Sequence, residues 1–333
     1  MRIGLSYDLK DDLVVGSGLP EDANEEYDSL ETIDALDSAL VAQGHEIVRL
    51  GGGRGFLERV LNARVDFVFN ISEGRGNYRA REAQAPAVLE MLDIPYSGSD
   101  ALTMAVSLEK PLTKELVAGI GVATPRWRII RCLAEMDDCD WSDFSFPVFA
   151  KPAHEGSSKG IRLASCVGTP AALRSLVQAQ MASYAQPIMV EEFISGDEIT
   201  VGMIGNDPPQ VLGIMRVVPR IPQEQFIYSL EVKRQWRDLV RYECPAALPE
   251  NTIRRLKEAC SCIHKVLGVR DIARLDFRIA SDGTPYFLEI NPLPGLNPQS
   301  GDIVIMSGLM GLSYNQLIAA ILNAASRRYN NVS

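Results

Sequence analysis

The alternation of hydrophobic and polar residues is most regular near the carboxyl end of the chain. Two alternating runs, 274–278 (RLDFR) and 287–291 (FLEIN), stand on either side of Asp282-Gly283. Asp-Gly between alternating runs is the strongest short-range hairpin signal, so the pattern predicts two antiparallel strands. The apolar face of this hairpin would consist of Leu275, Phe277, Leu288 and Ile290.

The register of the hairpin determines which polar side chains meet on its other face. With a two-residue turn, Asp276 lies opposite Glu289 and Arg274 lies opposite Asn291, and all four share one face. A bulge at Gly283 would shift this register. Opposed side chains are about 5 Å apart at Cβ, so two carboxylates and an amide oxygen would converge there.

A cation would relieve the repulsion between the two carboxylates. Oxygen ligands without histidine or cysteine favour magnesium or manganese, whose shell is usually completed by water and substrate phosphates. The residues therefore predict a metal site at Asp276, Glu289 and Asn291. The alternative interpretation is a charged, solvent-facing side of an edge hairpin.

The first hundred residues alternate between strand and helix patterns. An apolar opening strand is followed by a helical pattern over 27–42, a strand over 45–50, a strand over 65–71 and a helix over 82–92. This order begins with a βαβ unit, and it predicts a small open α/β domain.

The rest of the chain contains shorter strands that are interrupted by prolines. We predict a strand over 146–151, a loop over 152–160, a returning strand over 160–164, a further strand over 189–194 and a last helix over 313–328. The length exceeds what one ordinary core supports. The predicted domains are 1–102, 103–190 and 191–333.

Composition narrows the classes of function. The chain has 333 residues, of which 46% are hydrophobic, and a formal net charge of -10 at pH 7. An acidic chain without a concentrated basic patch argues against a surface for nucleic acid or for an anionic membrane. No charged leader precedes the first strand and no apolar stretch has the length of a membrane span, so we expect a cytoplasmic protein.

Cysteine, histidine and glycine usage excludes several kinds of site. The six cysteines form no CxxC pair and are too sparse for a secreted disulfide scaffold, so we expect free thiols. With only three histidines, we do not expect a zinc site. Neither GxxxxGK[ST] nor GxGxxG follows the first strand, which excludes a P-loop and a dinucleotide fingerprint.

The loop Glu155-Gly156-Ser157-Ser158-Lys159-Gly160 is a candidate for binding phosphate. Between two strands, successive backbone N–H groups and small hydroxyls can surround phosphate oxygens. Lys151, at the end of the preceding strand, would add a positive charge. A plain glycine-serine turn is the common structural explanation for such a loop.

Further residues could complete a nucleotide site. Lys110 and Lys233 would add charge, and the segment 189–194 could offer backbone groups to the edge of an adenine. Glu191 could accept a hydrogen bond from its exocyclic amine, and Glu198 could accept from ribose hydroxyls. Taken singly, each of these side chains is more typical of a solvated surface charge than of a binding site.

Taken in order, these and neighbouring motifs resemble the D-alanine:D-alanine ligases of the ATP-grasp superfamily. The resemblance is colinear over nearly the whole chain, and the order and spacing of several motifs carry it. The motifs are Ile94-Pro95-Tyr96-Ser97-Gly98-Ser99, Lys110, Phe149-Ala150-Lys151-Pro152 with Glu155-Gly156-Ser157-Ser158, 191–198, 228–233, Glu243-Cys244-Pro245-Ala246, Arg274-Leu275-Asp276 and 289–296.

The resemblance implies an ATP-grasp fold of mixed α/β class. An N-terminal Rossmann-like α/β domain would precede a small central domain and a C-terminal antiparallel-sheet domain, and ATP would lie between two sheets. Lys233 would reach the transferred phosphate, and Glu198 would bind the ribose. The full set of nucleotide-binding residues would be Lys110, Lys151, Glu155, Ser157, Ser158, Glu191, Glu192, Ile194, Glu198 and Lys233.

The resemblance also implies a catalytic set. Asp276, Glu289 and Asn291 match the ligands of two Mg²⁺ or Mn²⁺ ions. Ser157 matches a serine near the first amino acid. The groups that bind the carboxylate of the second substrate and steady the tetrahedral intermediate would be Arg274, the backbone of Gly295, and Ser300.

The chain departs from the family around the first substrate. Family members carry Gly-Gly-x-Ser-x-Glu after the first strand, whereas this chain has Ser6-Tyr7-Asp8-Leu9-Lys10 and an insertion. An ungapped count places Glu25 where the family's glutamate binds an ammonium group, although a simple acid at a helix N-terminus is the alternative. Arg234 replaces a tyrosine, and it could meet an acidic side chain or a second carboxylate. The family's histidine is replaced near Glu73.

The sequence therefore predicts an ATP- and magnesium-dependent carboxylate-amine ligase that joins two amino acids through an acyl phosphate. One alternative is a ligase that attaches an amino acid to a different amine, such as a specialised metabolite or a carrier protein. Another is a nucleotide-binding regulatory protein without turnover. The family further implies a homodimer, and the loop over 216–237 is a plausible lid over the site.

Overall fold

The computed structural model describes residues 1–12, 18–223 and 225–330. The strands are β1 Arg2–Ser6, β2 Glu46–Gly51, β3 Phe67–Asn70, β4 Trp127–Ile130, β5 Val148–Pro152, β6 Cys166–Val167, β7 Ile188–Glu192, β8 Asp197–Ile204, β9 Gln210–Pro219, β10 Val240–Glu243, β11 Ile272–Ile279 and β12 Pro285–Asn291. The helices are α1 Leu30–Val41, α2 Gly53–Asn62, α3 Gln84–Met91, α4 Ala101–Leu108, α5 Lys110–Gly119, α6 Leu133–Asp138, α7 Pro170–Tyr184, α8 Leu230–Arg234, α9 Trp236–Leu239, α10 Glu250–Leu267, α11 Asp302–Leu309 and α12 Tyr314–Asn330.

The first sheet is parallel, with the strand order β2-β1-β3. The hydroxyl of Ser29 accepts from the backbone N–H of Thr32 and so caps α1, which covers this sheet. Apolar residues of β1, β3 and α1 form one buried cluster, which also includes Leu317 and Ile321 of α12. The predicted βαβ order is confirmed, and the last helix of the chain packs in the core of the first sheet.

The second sheet is antiparallel, with the order β4-β7-β5-β6, and α7 packs across it. The predicted returning strand over 160–164 was wrong, because the strand that pairs with β5 is Cys166–Val167. Gly160 has a φ of 73°, which ends the extended conformation. The hydroxyl of Ser165 then accepts from the N–H of Arg162 and closes a short 3₁₀ turn before the strand begins.

The third sheet has five antiparallel strands in the order β10-β9-β8-β11-β12. Helix α10 covers one of its faces. Its buried residues recur at helical spacing and contact apolar residues of the hairpin strands β11 and β12. They include Leu256, Cys260, Ile263 and Leu267. The side chains that alternate with these apolar residues on β11 lie on the opposite face, and they include Arg274, Asp276 and Arg278.

The hairpin has the predicted register at its functional end, but for a different reason. Asp276 pairs with Glu289 and Arg274 pairs with Asn291. The turn is longer than two residues, since Ala280 donates its N–H to Thr284 O and Gly283 has a φ of 80°. This shifts the register by one residue, and a bulge between Asp276 and Phe277 shifts it back.

The bulge exchanges two neighbouring side chains between the faces of β12. Phe287 is fully buried and its ring lies edge-on to that of Phe277, with 5.8 Å between the centroids. Leu288 lines the cleft between the second and third sheets. The prediction that Leu288 shares the buried face was therefore wrong, because the extra residue of the bulge reverses the alternation.

No single helix in the described ranges is long and apolar enough to cross a membrane. One pair, α11 with residues 314–329 of α12, satisfies length and composition together, but the two helices meet at an angle of 109°.

Candidate active site

Two adjoining cavities lie where the sheets meet. The first, of about 680 Å³, is enclosed by side chains of β5 and β7 on one side and of β8, β11 and β12 on the other. The second, of about 1630 Å³, extends toward α1 and the first sheet. Lys233 and Asp302 line both cavities and mark their junction.

The hairpin carries the predicted metal residues to this junction. Asp276 Oδ1 accepts from the hydroxyl of Thr200 at 2.9 Å, and its Oδ2 accepts from the Asn291 amide at 3.3 Å. Glu289 Oε2 is buried without a hydrogen-bond donor among the described residues. Burial alone would raise the pKa of Glu289, but Lys110, Lys151, Arg274 and Lys233 outweigh it and hold the pKa at about 2.

These side chains fit a hard divalent cation. The ionised carboxylate of Glu289 has an oxygen that receives no hydrogen bond from the described residues. Together with a second carboxylate and an amide, it offers oxygen ligands. No group of three or more His, Cys, Asp or Glu residues in the described chain is arranged to hold a metal. Glu289, Asp276 and Asn291 would therefore need water or substrate phosphate to complete the coordination shell.

Arg274 lies between two carboxylates at the junction. Its Nη2 is 2.8 Å from Asp276 Oδ2, and its Nη1 is 3.2 Å from Asp302 Oδ2. Asp302 begins α11 and also accepts from the hydroxyl of Tyr228 at 2.9 Å. Arg274 is thus held in one orientation next to the second cavity, which it lines.

Two lysines predicted to bind phosphate are buried beside the hairpin. The ammonium of Lys110 donates to the backbone oxygen of Glu155 and lies 3.5 Å from Glu289. Lys151 lies 2.8 Å from Glu191. Burial would lower the pKa of Lys151, but the carboxylates of Glu191 and Glu289 raise it above its ordinary value, so Lys151 presents a fixed positive charge to the cleft.

Glu191 is more constrained than the sequence indicated. Its carboxylate pairs with Lys151 and also with Lys114, whose side chain is fully buried. These two lysines outweigh burial and lower the pKa of Glu191. The ionised carboxylate therefore serves first as the counter-ion of two lysines.

The remaining residues predicted for adenine and ribose line the first cavity. Glu198 pairs with Arg278 at 2.8 Å, and the backbone oxygen of Ile194 accepts from the same guanidinium at 3.1 Å. Burial raises the pKa of Glu198, although Arg278 opposes it. Glu192 lies beside Ile194 at the edge of the cavity and accepts from the N–H of Arg126.

The predicted phosphate loop separates the two cavities. Ser157 and Ser158 have φ values of 50° and 59°, a conformation uncommon outside glycine. Ser158 lines the first cavity, whereas Ser157 lines the second. Glu155 turns away into ion pairs with Arg81 and Lys159.

The other predicted site residues come from the predicted lid over 216–237 and from the segment that follows β12. Lys233 lies with its ammonium 4.9 Å from the ring centroid of Tyr228. Gly295 and Ser300 line the second cavity, and the Ser300 hydroxyl donates to Asn297. Glu224, within the predicted lid over 216–237, lies outside the described residues.

Glu25 lies in the second cavity but is not free to act alone. Its carboxylate accepts from Arg234 at 2.9 Å, and the same guanidinium reaches Glu21 at 2.9 Å. Arg234 therefore meets acidic side chains, which is one of the two partners predicted for it. Glu26, the next residue, is buried and pairs with Arg81 and Lys159.

Sequence reasoning missed several residues of the site. Lys114 follows Lys110 by one helical turn on α5, a spacing that was available as a signal. Arg278 lies two residues beyond Asp276 on β11, again a readable spacing. Asp302, Glu26 and Glu82 reach the site through contacts distant in sequence, so no local pattern indicates them.

Comparison with known proteins agrees with this geometry. The family model described as D-ala D-ala ligase C-terminus matches residues 116–323. The D-alanine–D-alanine ligase of Aquifex aeolicus is 30% identical over 88% of this chain and 94% of its own length. That of Anaeromyxobacter dehalogenans is 32% identical over 90% and 92%. The uncharacterized protein y4sG of Sinorhizobium fredii is 35% identical over 89% and 88%.

Solved structures show the same fold at lower identity. The D-alanine–D-alanine ligase of Bacillus anthracis complexed with ATP has a TM-score of 0.72 and 23% identity, covering 99% of each chain. The VanG D-Ala:D-Ser ligase of Enterococcus faecalis has a TM-score of 0.73 and 20% identity, covering 97% of this chain and 99% of its own. The predicted mixed α/β fold of the ATP-grasp type is confirmed. The chain belongs to the D-alanine–D-alanine ligase family and is an ATP-dependent ligase.

Proposed function

We propose that this chain is an ATP- and magnesium-dependent carboxylate-amine ligase that joins two amino acids through an acyl phosphate. One observation carries the proposal. Three cationic side chains and a carboxylate oxygen that receives no hydrogen bond from the described residues converge where the first cavity meets the second, larger one. They are Lys110, Lys151, Arg274 and Glu289 Oε2. Positive charge fixed around a point between two cavities suits the transfer of a phosphoryl group from one bound molecule to another.

The nucleotide would occupy the first cavity. Its adenine would lie along 191–194, where the backbone of β7 ends, and its ribose hydroxyls would reach Glu198. Its phosphates would point toward Lys110, Lys151 and the hydroxyl of Ser158. Glu191 would act mainly by holding Lys151 in place, since its carboxylate is already shared between two lysines.

Asp276, Glu289 and Asn291 would hold one or two divalent ions against the phosphates. When bound, Mg²⁺ or Mn²⁺ supplies positive charge that offsets the charge on the transferred phosphoryl group. The residues of the chain do the positioning. Asn291 and Thr200 fix Asp276, and the four nearby cations keep Glu289 ionised.

The two steps follow from the chemistry of a carboxylate. An oxygen of the first amino acid's carboxylate would attack the γ-phosphorus of ATP, which forms an acyl phosphate and releases ADP. The deprotonated amine of the second amino acid would attack the carbonyl carbon, and inorganic phosphate would leave with that oxygen. Lys233 would stabilise the transferred phosphoryl group, and Arg274 would stabilise the oxyanion of the tetrahedral intermediate.

The amino acids would occupy the second cavity. The backbone N–H of Gly295, the hydroxyl of Ser300 and Arg274 would bind the second substrate's carboxylate. Ser157 would contact the first amino acid, and Glu25 would accept from its α-ammonium while remaining paired with Arg234.

The direct experiment measures ADP release with ATP and Mg²⁺ against D- and L-amino acids, singly and in pairs. Mass spectrometry then identifies the products. We expect one pair or a narrow group of pairs to release ADP and to yield a dipeptide. ATP binding with no ADP release across the whole panel would contradict the proposal. An amide product formed with a different amine would show that the second substrate is not an amino acid.

We also propose a homodimer. Leu102 of α4 and Leu112, Leu116 and Ile120 on or next to α5 are exposed in the monomer. The spacing of the last three places them on one side of the helix, where a second copy could cover them. Light scattering at several concentrations checks this, and a monomer mass throughout would contradict it.

A further inference from the structure

The second cavity ends in a group of acidic side chains that the proposed reaction does not use. They come from three separate parts of the chain and line the wall between the first sheet and the phosphate loop. The carboxylates at this end, which we call the acid wall, are Glu26, Asp28, Glu73, Glu82 and Glu155.

Two cations neutralise part of the acid wall. Arg81 is buried and its Nη2 lies 2.6 Å from Glu26 and 2.9 Å from Glu155. Lys159 lies 3.1 Å from Glu26 and 2.6 Å from Glu155. These four side chains form a closed set of two positive and two negative charges.

Glu82 stands outside that set. Its residue is only 7% exposed, and among the described residues its carboxylate has neither a hydrogen-bond donor nor an ion-pair partner. It lines the second cavity, and a methyl group on Gly156 would lie 3.9 Å from Glu82 Oε1 and 3.6 Å from Glu26 Oε2. The carboxylate of Glu82 therefore lies beside the phosphate loop, at the lining of the second cavity.

Glu73 adds a second carboxylate without a described partner. Burial raises its pKa well above the ordinary value, and the negative charges of Glu82, Glu26 and Asp28 raise it further. Burial also raises the pKa of Glu82 to about 7, although Arg81 opposes it. Buried carboxylates of this kind are costly unless a positive charge meets them.

A metal ion does not suit this wall. No group of three or more acidic, histidine or cysteine side chains in the described ranges is arranged around a metal position. An ammonium or guanidinium group does not need its ligands to converge on one point as a metal ion does. It can donate hydrogen bonds to carboxylates that lie several ångströms apart. The wall also borders Ser157, the residue proposed to contact the first amino acid.

We propose that the acid wall binds a positively charged side chain of the first amino acid, so that the preferred first substrate is a basic amino acid with an ammonium or guanidinium group. This inference rests on the proposed function. The α-ammonium would lie toward Glu25, and the side-chain cation would lie between Glu82 and Glu73. Gly156, which has no side chain, lies next to both Glu82 and Glu26.

The test compares amino acids that differ only in side-chain charge. ADP release is measured with ornithine against norvaline, lysine against norleucine and arginine against citrulline, as D and L forms, each with a panel of second amino acids. We expect at least one charged member to exceed its neutral partner by tenfold or more in kcat/KM. Equal use of charged and neutral members by the wild-type enzyme would overturn the inference while leaving the ligase proposal intact.

The substitution Glu82→Gln tests whether the acid wall causes the preference for a charged side chain. The charged-to-neutral ratio of kcat/KM should fall by tenfold or more, whereas Glu258→Gln, an exposed change on α10, should leave it unchanged. An unaltered ratio in a folded Glu82→Gln enzyme would contradict the inference. The wild-type comparison needs no variant, so it decides the matter even if Glu82→Gln does not fold.

A binding readout separates the two proposals. The stabilisation of the wild-type protein by each amino acid is measured by thermal shift, in the presence of Mg²⁺ and a non-hydrolysable ATP analogue. Stabilisation by lysine or arginine but not by the neutral partner supports the acid wall even without turnover. No turnover with any amino acid would contradict the ligase proposal, and no charge-dependent stabilisation would contradict the acid wall.

Discussion

The nucleotide cavity and the acid wall treat buried charge in opposite ways. In the nucleotide cavity, Glu191 has two lysine partners and Glu198 has Arg278. At the acid wall, Arg81 and Lys159 are already paired with Glu26 and Glu155, and Glu82 has no described partner. In the first region, both of these carboxylates therefore have at least one cationic partner. The second region has an excess of acid that a ligand would complete.

This difference separates the residues that serve phosphoryl transfer from those that would select the amino acid. Phosphoryl transfer requires the same fixed charges whatever the amino acids are. The recognition of a particular side chain depends on whatever group the pocket leaves unsatisfied. Substitutions on either side of the junction can test this division.

Lys114→Met should destabilise the protein by about 3–5 kcal/mol, because it breaks a buried ion pair and leaves Glu191 with one lysine. Chemical denaturation measures the loss. Lys257→Met, at an exposed position of α10, serves as the control. A loss below about 1 kcal/mol would show that the buried ion pair between Lys114 and Glu191 does not stabilise the protein as described.

Arg274→Ala should reduce kcat by about 10²–10³-fold, the magnitude expected when a transition-state donor is lost. The effect on ATP binding should be much smaller, because Arg274 lies at the amino-acid side of the junction. ADP release and equilibrium ATP binding are measured separately. Arg254→Ala on the surface of α10 is the matched control. Turnover within twofold of wild type would contradict the proposed role.

Glu82→Gln should stabilise the ligand-free protein at pH 8 by about 1–3 kcal/mol, and this gain should shrink toward pH 5. The folded-state pKa of Glu82 is raised from 4.5 to about 7. As pH rises from 4.5 to 7, the unfolded carboxyl ionises while the folded one resists, so Glu82 lowers stability progressively over that window. Urea titrations at pH 5, 6, 7 and 8 measure it. A pH-independent difference would indicate that a partner already neutralises Glu82.

Arg234→Met should change stability by less than about 1 kcal/mol, because its ion pairs with Glu21 and Glu25 are partly exposed. It should nevertheless alter the KM of the first amino acid several-fold by releasing Glu25. Arg174→Met, which breaks an exposed pair with Asp137, is the control. An unchanged KM would argue against Glu25 as a substrate-binding group.

Much of the fold and of the nucleotide site could be predicted because their signals are local. The hairpin periodicity placed Asp276 opposite Glu289 and Arg274 opposite Asn291, and the structure has those pairs. The two details that were wrong, the turn and the face of Leu288, depend on a bulge that no alternation pattern reveals. Its extra residue is tolerated because Phe287 fills the core position instead.

The acid wall could not be predicted because its members meet only through folding. Glu26, Glu82 and Glu155 belong to distant segments, and each is unremarkable as a sequence residue. Arg81 joins the first and the last of them across the boundary between the first and second predicted domains. Those boundaries, at 102 and 190, remain predictions, and so do the roles of the site residues.

The most direct test of the proposed chemistry follows an oxygen atom. The amino acid that best stimulates ADP release is labelled with ¹⁸O in its carboxylate and incubated with ATP, Mg²⁺ and the second substrate. If an acyl phosphate forms, each inorganic phosphate released carries one oxygen from that carboxylate, and mass spectrometry will detect the label. Unlabelled phosphate, together with a ligated product, would contradict the proposal that ligation proceeds through an acyl phosphate.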